Sequence, residues 1–268
     1  MSGQSLIIQR KARQLKNILH KRNPLIVAFS GGIDSSYLLI MAVETIGKDN
    51  VIAVTARAPF FSPFETRHIE PLIHLASVKH IVVEHHAMTQ DVFKSNPPDR
   101  CYHCKKMIFS TLRNIADSHK IRHIAHGANT DDLNDYRPGS LAAQEFEIEA
   151  PLMDAGLSKF EIRYLAKDYG LSNWNQAAMA CLATRIPFHS PITLEKLDMI
   201  HRAEVILDNM GFQGARVRLI DRMAKIEIVK NQLSHFFSGT YQTDLYKQLR
   251  CIGFENMIVD KEGYKTRL

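Results

Sequence analysis

The sequence predicts an α/β fold built on a largely parallel sheet, followed by a smaller C-terminal α+β unit. Three observations lead there. Short apolar runs alternate with helical stretches along most of the chain, the first such run ends in a Ser-Gly-Gly corner before a helix, and the pattern changes at Pro187–Pro191. Strands alternating with helices place a parallel sheet beneath helices on both faces.

Residues 4–21 read as an opening helix. Leu25–Phe29 is a short apolar run and reads as a buried strand. Ser35–Ile46 carries Tyr37, Leu38, Leu39, Met41, Ala42 and Ile46 and reads as a helix. Val51–Thr55, His80–Glu84 and His123–His126 are the next strands. A helix over Glu65–Val78 is expected to be disturbed by Pro71. Asn96–Asp99 is a turn, and Cys104–Asp117 a helix. Gly127–Gly139 is a polar loop. Lys159–Tyr169 is a helix with Ser158 as N-cap and Gly170 as stop signal. Beyond Pro191 come a helix over Leu194–Met210, strands over Arg216–Leu219 and Lys225–Val229, a helix over Tyr241–Arg250 and a strand over Asn256–Val259. The expected domains are 1–187 and 188–268, sizes within the usual range.

Composition narrows the function classes. With 45% hydrophobic and 23% charged residues in a 268-residue chain, a sizeable core is available and disorder is excluded. No run approaches the roughly 20 apolar residues that span a bilayer. The polar, basic start is unlike a secretory signal, so the expected compartment is the cytoplasm. The net charge of +6 suits an RNA partner or a phosphorylated small substrate. Its clusters at Arg10–Arg13 and Lys16–Arg22 read as a solvated helix face. Four cysteines are too few for a disulfide scaffold, which leaves inert thiols, metal ligands or reactive groups.

The sharpest feature is Ser30-Gly31-Gly32-Ile33-Asp34-Ser35, set between a strand and a helix. Two glycines let the backbone approach a ligand closely, and a helix N-terminus offers unpaired N–H groups to an anion. GK[ST] is absent, so this is not a Walker loop. Gly127, Asn129 and Asp131 follow a strand, where a loop lines the ligand crevice of a parallel sheet. They are candidates to contact a nucleotide or metal, against the plainer reading of an Asx-rich turn. Cys101 and Cys104 form a CxxC, and Cys181 lies in a separate block. Three thiolates suit a [4Fe–4S] cluster with one iron left open. Cys251 reads as an inert packed thiol. The guanidinium fork of Arg185 suits an oxyanion, against a surface reading. Arg216 and Arg218 share one strand face and are candidates for a substrate phosphate. Glu204 and Glu227 are either metal ligands or ordinary surface acids.

SGGIDSS resembles the PP-loop signature, SGGxDS, of the N-type ATP pyrophosphatases. These enzymes cleave ATP between the α- and β-phosphates and attach AMP to an acceptor oxygen. The resemblance implies a Rossmann-like domain in which Ser30, Gly31, Gly32, Asp34 and Ser35 hold pyrophosphate with Mg²⁺ nearby. The order SGGIDSSYLL, NPPDRCYHCK, HGANTDDLNDYRPG, GLSK, MACLATRIPF, VRLIDRMAKIEI and GFENMIVDKEGYKT resembles, across almost the whole chain, the LarE-type sulfur transferases of nickel-pincer cofactor biosynthesis. That resemblance implies a pyridinium-type mononucleotide whose carboxylate is adenylylated, after which sulfur replaces AMP. Cys181 is then the expected sulfur-handling residue, and Asp34 of the PP-loop and Arg185, with its oxyanion-binding fork, are the further catalytic candidates.

Two sulfur sources occur in the family. In one branch the cysteine matching Cys181 gives up its own sulfur. In the other it joins a CxxC to hold a [4Fe–4S] cluster, and the presence of Cys101 and Cys104 favours that branch here. Leu219-Ile220-Asp221-Arg222-Met223 stands where relatives often carry a His-Gly-Asp stretch. A tRNA thiolase is the rival reading, disfavoured by the single CxxC and the α+β tail. A PP-loop protein that only binds nucleotide is disfavoured by the intact serines and Asp34. The expected partners are therefore a nucleotide-like carboxylate and further copies of this chain, without nucleic acid or membrane.

Overall fold

The computed structural model describes residues 3–62, 67–134, 138–176 and 180–264. The chain divides into two compact units. The first gathers Met1–Ala58, Pro63–Ala87 and Asp99–Gln176, and the second Pro59–Ser62, Met88–Pro98 and Ala177–Leu268.

The first unit is an α/β layer structure. Strands β1 (Leu25–Ala28), β2 (Val51–Arg57), β3 (Lys79–Glu84) and β4 (His123–Ala125) form a sheet in the order β3-β2-β1-β4. Every pairing in it is parallel. Alternate side chains leave opposite faces of a strand, and both faces here meet apolar layers. Leu25 and Val27 of β1 join one buried cluster and Ile26 joins the other. The first layer is built on α1 (Gly3–His20) and α2 (Ile33–Ile46), the second on a long helix over Arg100–Ser118.

Helix boundaries follow their punctuation. Pro71 lies in the first turn of α3 (Ile69–Ala76) rather than inside a longer helix. A proline there loses no helical hydrogen bond, so the expected disturbance does not occur. Arg100–Ser118, named α4, begins four residues before the expected start at Cys104, and the CxxC therefore forms its first turn. Helix α5 (Lys159–Tyr169) opens on a capping box between Ser158 and Glu161 and closes on left-handed Gly170.

The cations of the N-terminal segment are partly engaged: Lys11 and Lys16 of α1 pair with Glu161 and Glu44, and Arg22, just beyond the helix, with Glu149. The N-terminal basic cluster is thus not simply a solvated face. Among the described residues no helix is long and apolar enough to cross a membrane.

The second unit carries α6 (Leu194–Asn209), the hairpin β5 (Arg216–Ile220) and β6 (Met223–Glu227), α7 (Tyr241–Ile252) and β7 (Asn256–Val259). The sheet order is β5-β6-β7, antiparallel and then parallel. Strand β6 lies two residues earlier than the expected Lys225–Val229. Asp221 and Arg222 are the exposed tip of the hairpin, with Asp221 in the left-handed region at φ 54°. Cys251 is exposed on α7, whose buried side chains are Leu245 and Leu249, which corrects its reading as a packed thiol.

Candidate active site

Strand order places the first site. After β1 the chain runs outward through β2 and β3, then returns to the other side of β1 as β4. Ligands of open parallel sheets bind beyond the carboxyl ends of the strands at such a reversal. The loops there are 30–35 after β1 and 126–134 after β4.

The first loop is preorganised by its serines. Ser30 N donates to Ser35 Oγ at 3.2 Å, and the two hydroxyls lie 3.1 Å apart. Ser35 and Ser36 hydroxyls both donate to the Gly32 carbonyl, at 3.0 and 2.8 Å. Gly31 has φ +83°, a left-handed conformation that a side chain would strain. Asn173 Nδ2 donates to the Gly31 carbonyl at 3.1 Å and to Ser36 Oγ at 3.0 Å. No side chain caps the start of α2, so its N-terminus keeps the anion-binding character of an open helix end.

Asp34 occupies the first turn of α2, and its Oδ2 accepts a hydrogen bond from Lys159 Nζ at the start of α5. Its Oδ1 is buried with no hydrogen-bond partner among the described residues. Burial pushes its carboxyl above the usual range, Lys159 opposes that rise, and Asp132 adds to it. A buried carboxylate oxygen without a partner suits a cation, and hard oxygen donors suit Mg²⁺.

The second loop meets the first at Gly127. A Cβ built there would lie 2.8 Å from Ser35 N and 3.1 Å from Asp34 Cβ, so only glycine fits. Asn129 is 4% exposed. Its Oδ1 accepts from Asp131 N, while Asp132 Oδ2 accepts from Asn129 N, both at 3.0 Å. These are the bonds of an Asx turn, and Asp131 is exposed.

Cys101 is exposed and Cys104 half-buried, three residues apart on the first turns of α4. Side chains at that spacing share a helix face. His85 Nε2 lies 3.1 Å from Cys104 Sγ. His85 is buried at the end of β3, and burial lowers its pKa to about 4. Among the described residues no group of three or more His, Cys, Asp or Glu stands ready to hold a metal ion.

Cys181 belongs to the second unit, at the start of a short helical turn over Leu182–Arg185. Thr184 Oγ1 donates to the Cys181 carbonyl at 2.7 Å. Arg185 is not a surface residue: it is 1% exposed and pairs with Glu204, itself 2% exposed. Arg218 pairs with Glu227 at 2.6 Å and donates to the Thr184 carbonyl at 3.2 Å. Arg216 lies over the Tyr264 ring at 4.3 Å, and burial lowers its pKa. Arg185 and Arg218 thus lie close enough to Arg216 to act on its charge, and among the described residues the buried acids of this unit are Glu204 and Glu227. Both acids are buried, which corrects their reading as ordinary surface residues.

Residues 7–100 match the family model described as NAD synthase. An uncharacterized protein of Synechocystis is 32% identical over 260 residues, 97% of each chain. An uncharacterized protein of Methanocaldococcus jannaschii is 29% identical over 264 residues, 97% of this chain and all of its own. The pyridinium-3,5-bisthiocarboxylic acid mononucleotide synthase of Lactiplantibacillus plantarum is 33% identical over 242 residues, 90% of this chain and 86% of its own. The chain belongs to the LarE-type family of PP-loop proteins. The α/β unit with its parallel sheet is the fold that the PP-loop implied.

Within this LarE-type chain, Ser30, Gly31, Gly32, Asp34, Ser35, Gly127, Asn129 and Asp131 all fall in the first unit, around the carboxyl ends of β1 and β4. Cys101 and Cys104 belong to that unit as well, whereas Cys181, Arg185, Arg216 and Arg218 belong to the second. Residues 135–137 and 177–179, inside two of the motifs, lie outside the described residues. Sequence reasoning assigned no role to Lys159, Asn173, His85 or Asn96. The GLSK motif contained Lys159, but nothing local to it points to an aspartate 125 residues away.

Proposed function

We propose that this protein is an ATP-dependent sulfur transferase that adenylylates a carboxylate of a pyridinium-type mononucleotide and replaces AMP with sulfur. The observation that carries the reading is the pairing of Asp34 with Lys159 beneath a glycine- and serine-lined helix N-terminus. A relative named for making a bisthiocarboxylic acid mononucleotide supports the sulfur chemistry.

In this reading the loop N–H groups, Ser30 and Ser35 bind the β- and γ-phosphates, and Lys159 neutralises them. Asp34, whose Oδ1 has no hydrogen-bond partner among the described residues, would hold Mg²⁺. Mg²⁺ supplies charge neutralisation on the polyphosphate. The substrate carboxylate oxygen attacks the α-phosphorus, and the bond to the β-phosphate oxygen breaks with pyrophosphate leaving. Gly127 lets its backbone approach the nucleotide, and Asn129 and Asp131 shape that loop. Arg216 and Arg218 bind the substrate phosphate, and Arg185 steadies the adenylate side of the reaction. AMP is then a good leaving group from the acyl carbon.

Cys101, Cys104 and Cys181 would hold a [4Fe–4S] cluster, which when bound would offer sulfide as the group that replaces AMP. Two thiols on one helix face fit two of its ligands. The chain is proposed to work in the cytoplasm as a homo-oligomer, without nucleic acid. The domain roles are adenylylation for the PP-loop part and substrate binding for the C-terminal part.

The test is anaerobic reconstitution with iron and sulfide, followed by absorbance and EPR of the wild type and Cys101→Ala. A cluster signal in the wild type that Cys101→Ala loses supports the reading. No cluster, together with conversion of Cys181 to dehydroalanine after turnover, would move the sulfur source to Cys181 itself.

A further inference from the structure

The Cys181 segment is held in place by a residue outside every role assigned so far. Asn96 is completely buried and adopts a left-handed backbone at φ 57°. Its amide Nδ2 donates to the carbonyls of Pro187 at 2.7 Å, Ser190 at 3.1 Å and Ile186 at 3.3 Å. Its own carbonyl accepts from His189 N at 2.9 Å. Two further bonds complete the stitching: Ile192 N donates to Lys94 O, and Leu182 N to Phe60 O, both at 2.8 Å. Rings of Phe60 and Phe93, at 4.7 Å, pack the two anchoring segments together. All of these residues belong to the second unit.

The two N–H groups of one amide thus reach three carbonyls just beyond Arg185, one hydrogen being shared, and the stretch from Leu182 to Ile192 is pinned at both ends. Of the three bonds the one to the Ile186 carbonyl is fully buried and the other two are partly buried, and a buried carbonyl left unpaired costs about 1–3 kcal/mol. No isosteric side chain replaces this one. Aspartate has the same shape but would turn acceptors toward three acceptors. Asparagine also tolerates the left-handed backbone better than most residues.

We propose that Asn96 is a positioning residue for sulfur transfer, fixing where Cys181 and Arg185 stand when the acyl adenylate is formed. This rests on the sulfur-transferase reading, and it holds whichever atom carries the sulfur, since Cys181 serves both sources. With the segment in register, sulfur attacks the acyl carbon and AMP leaves with the bonding electrons. With the segment loosened, water attacks the same carbon, and the products are AMP and the starting carboxylate. Loss of Asn96 therefore uncouples the two half-reactions rather than stopping both.

The experiment compares wild type, Asn96→Gly and Asn96→Asp, measuring AMP and thiocarboxylate in the same anaerobic reaction, with melting temperature and ATP affinity alongside. Glycine accepts φ 57° but lacks the amide, so Asn96→Gly separates backbone from side chain. The expected result is near-normal ATP affinity and AMP formation in Asn96→Gly, with thiocarboxylate per AMP falling at least tenfold. Asn96→Asp should show the same loss or a greater one. If an Asn96 variant is too unstable for turnover, alkylation of Cys181 in the folded protein replaces the ratio, and a several-fold faster rate than wild type is expected. An unchanged ratio or alkylation rate would overturn the proposal. So would AMP and thiocarboxylate falling in proportion, which marks a merely structural role. A wild type that forms AMP without any thiocarboxylate would instead overturn the sulfur-transferase reading, and this proposal with it.

Discussion

Arg185 and Glu204 form an ion pair at 2.7 Å in which each side chain is 1% exposed. Such a pair is held by its geometry and by the hydrogen bonds around it, here Val217 N to Glu204 at 3.1 Å and Arg185 to Thr184 at 2.9 Å. Removing one member strands the other charge away from water. Glu204→Leu should therefore lose about 3–5 kcal/mol of stability in urea denaturation. The double variant Arg185→Met with Glu204→Leu should recover most of that loss. A single variant as stable as wild type would show that the charge finds another partner.

Lys159 makes the ATP subsite testable without turnover. It pairs with Asp34 beyond the carboxyl ends of the strands, and its ammonium opposes the rise in that carboxyl's pKa. Lys159→Gln should weaken binding of an ATP analogue with a methylene between the α- and β-phosphates by about tenfold, roughly 1.4 kcal/mol. AMP, which lacks the outer phosphates, should bind as before. Calorimetric titration with both ligands checks this, and equal losses for both would contradict it.

Gly127 gives a steric test of the same site. A methyl group there would press on the Ser35 backbone nitrogen at 2.8 Å, and backbone cannot yield as a flexible side chain can. Gly127→Ala should cost about 1–3 kcal/mol in stability and abolish measurable binding of the ATP analogue. Unaltered stability and affinity would show that the two loops do not abut as described.

His126 sets a pH dependence. Burial lowers its pKa to about 3, with Lys105 adding to the shift. The unfolded chain protonates this ring near 6.5, and the folded protein does not. Below that pH the unfolded state binds the extra proton, so stability falls as pH drops from about 6.5 toward 3 and is fully present above 6.5. Urea denaturation at pH 7.5 and pH 5 should show this fall, and His126→Gln should show less of it. Equal slopes for the two proteins would assign the dependence to other groups.

Local patterns were legible, and long-range pairings were not. The strands β1 to β4, the capping box at Ser158 and Glu161, and the Gly170 stop are written in neighbouring residues, and the structure has each where the sequence placed it. The early start of α4 was missed because Asp99–Tyr102 lacks an apolar repeat, while tertiary packing still extends the helix. Buried Arg185 and Glu204 read equally well as surface residues, since their pairing joins a short turn to a helix 19 residues on. Lys159 with Asp34, and Asn173 with Gly31, are separated by 125 and 142 residues. Only the folded sheet brings such pairs together. Cys251 misled for the opposite reason: a free thiol is usually packed, but its place on α7 falls outside the Leu245 and Leu249 face.

The most direct test is one anaerobic turnover with ATP and a pyridinium dicarboxylate mononucleotide, in which AMP, pyrophosphate and thiocarboxylate are quantified together. The expected result is thiocarboxylate appearing in step with AMP and pyrophosphate, with Cys181 intact afterwards. Thiocarboxylate formed without ATP cleavage, or no AMP at all in the presence of this substrate, would contradict adenylylation followed by sulfur transfer.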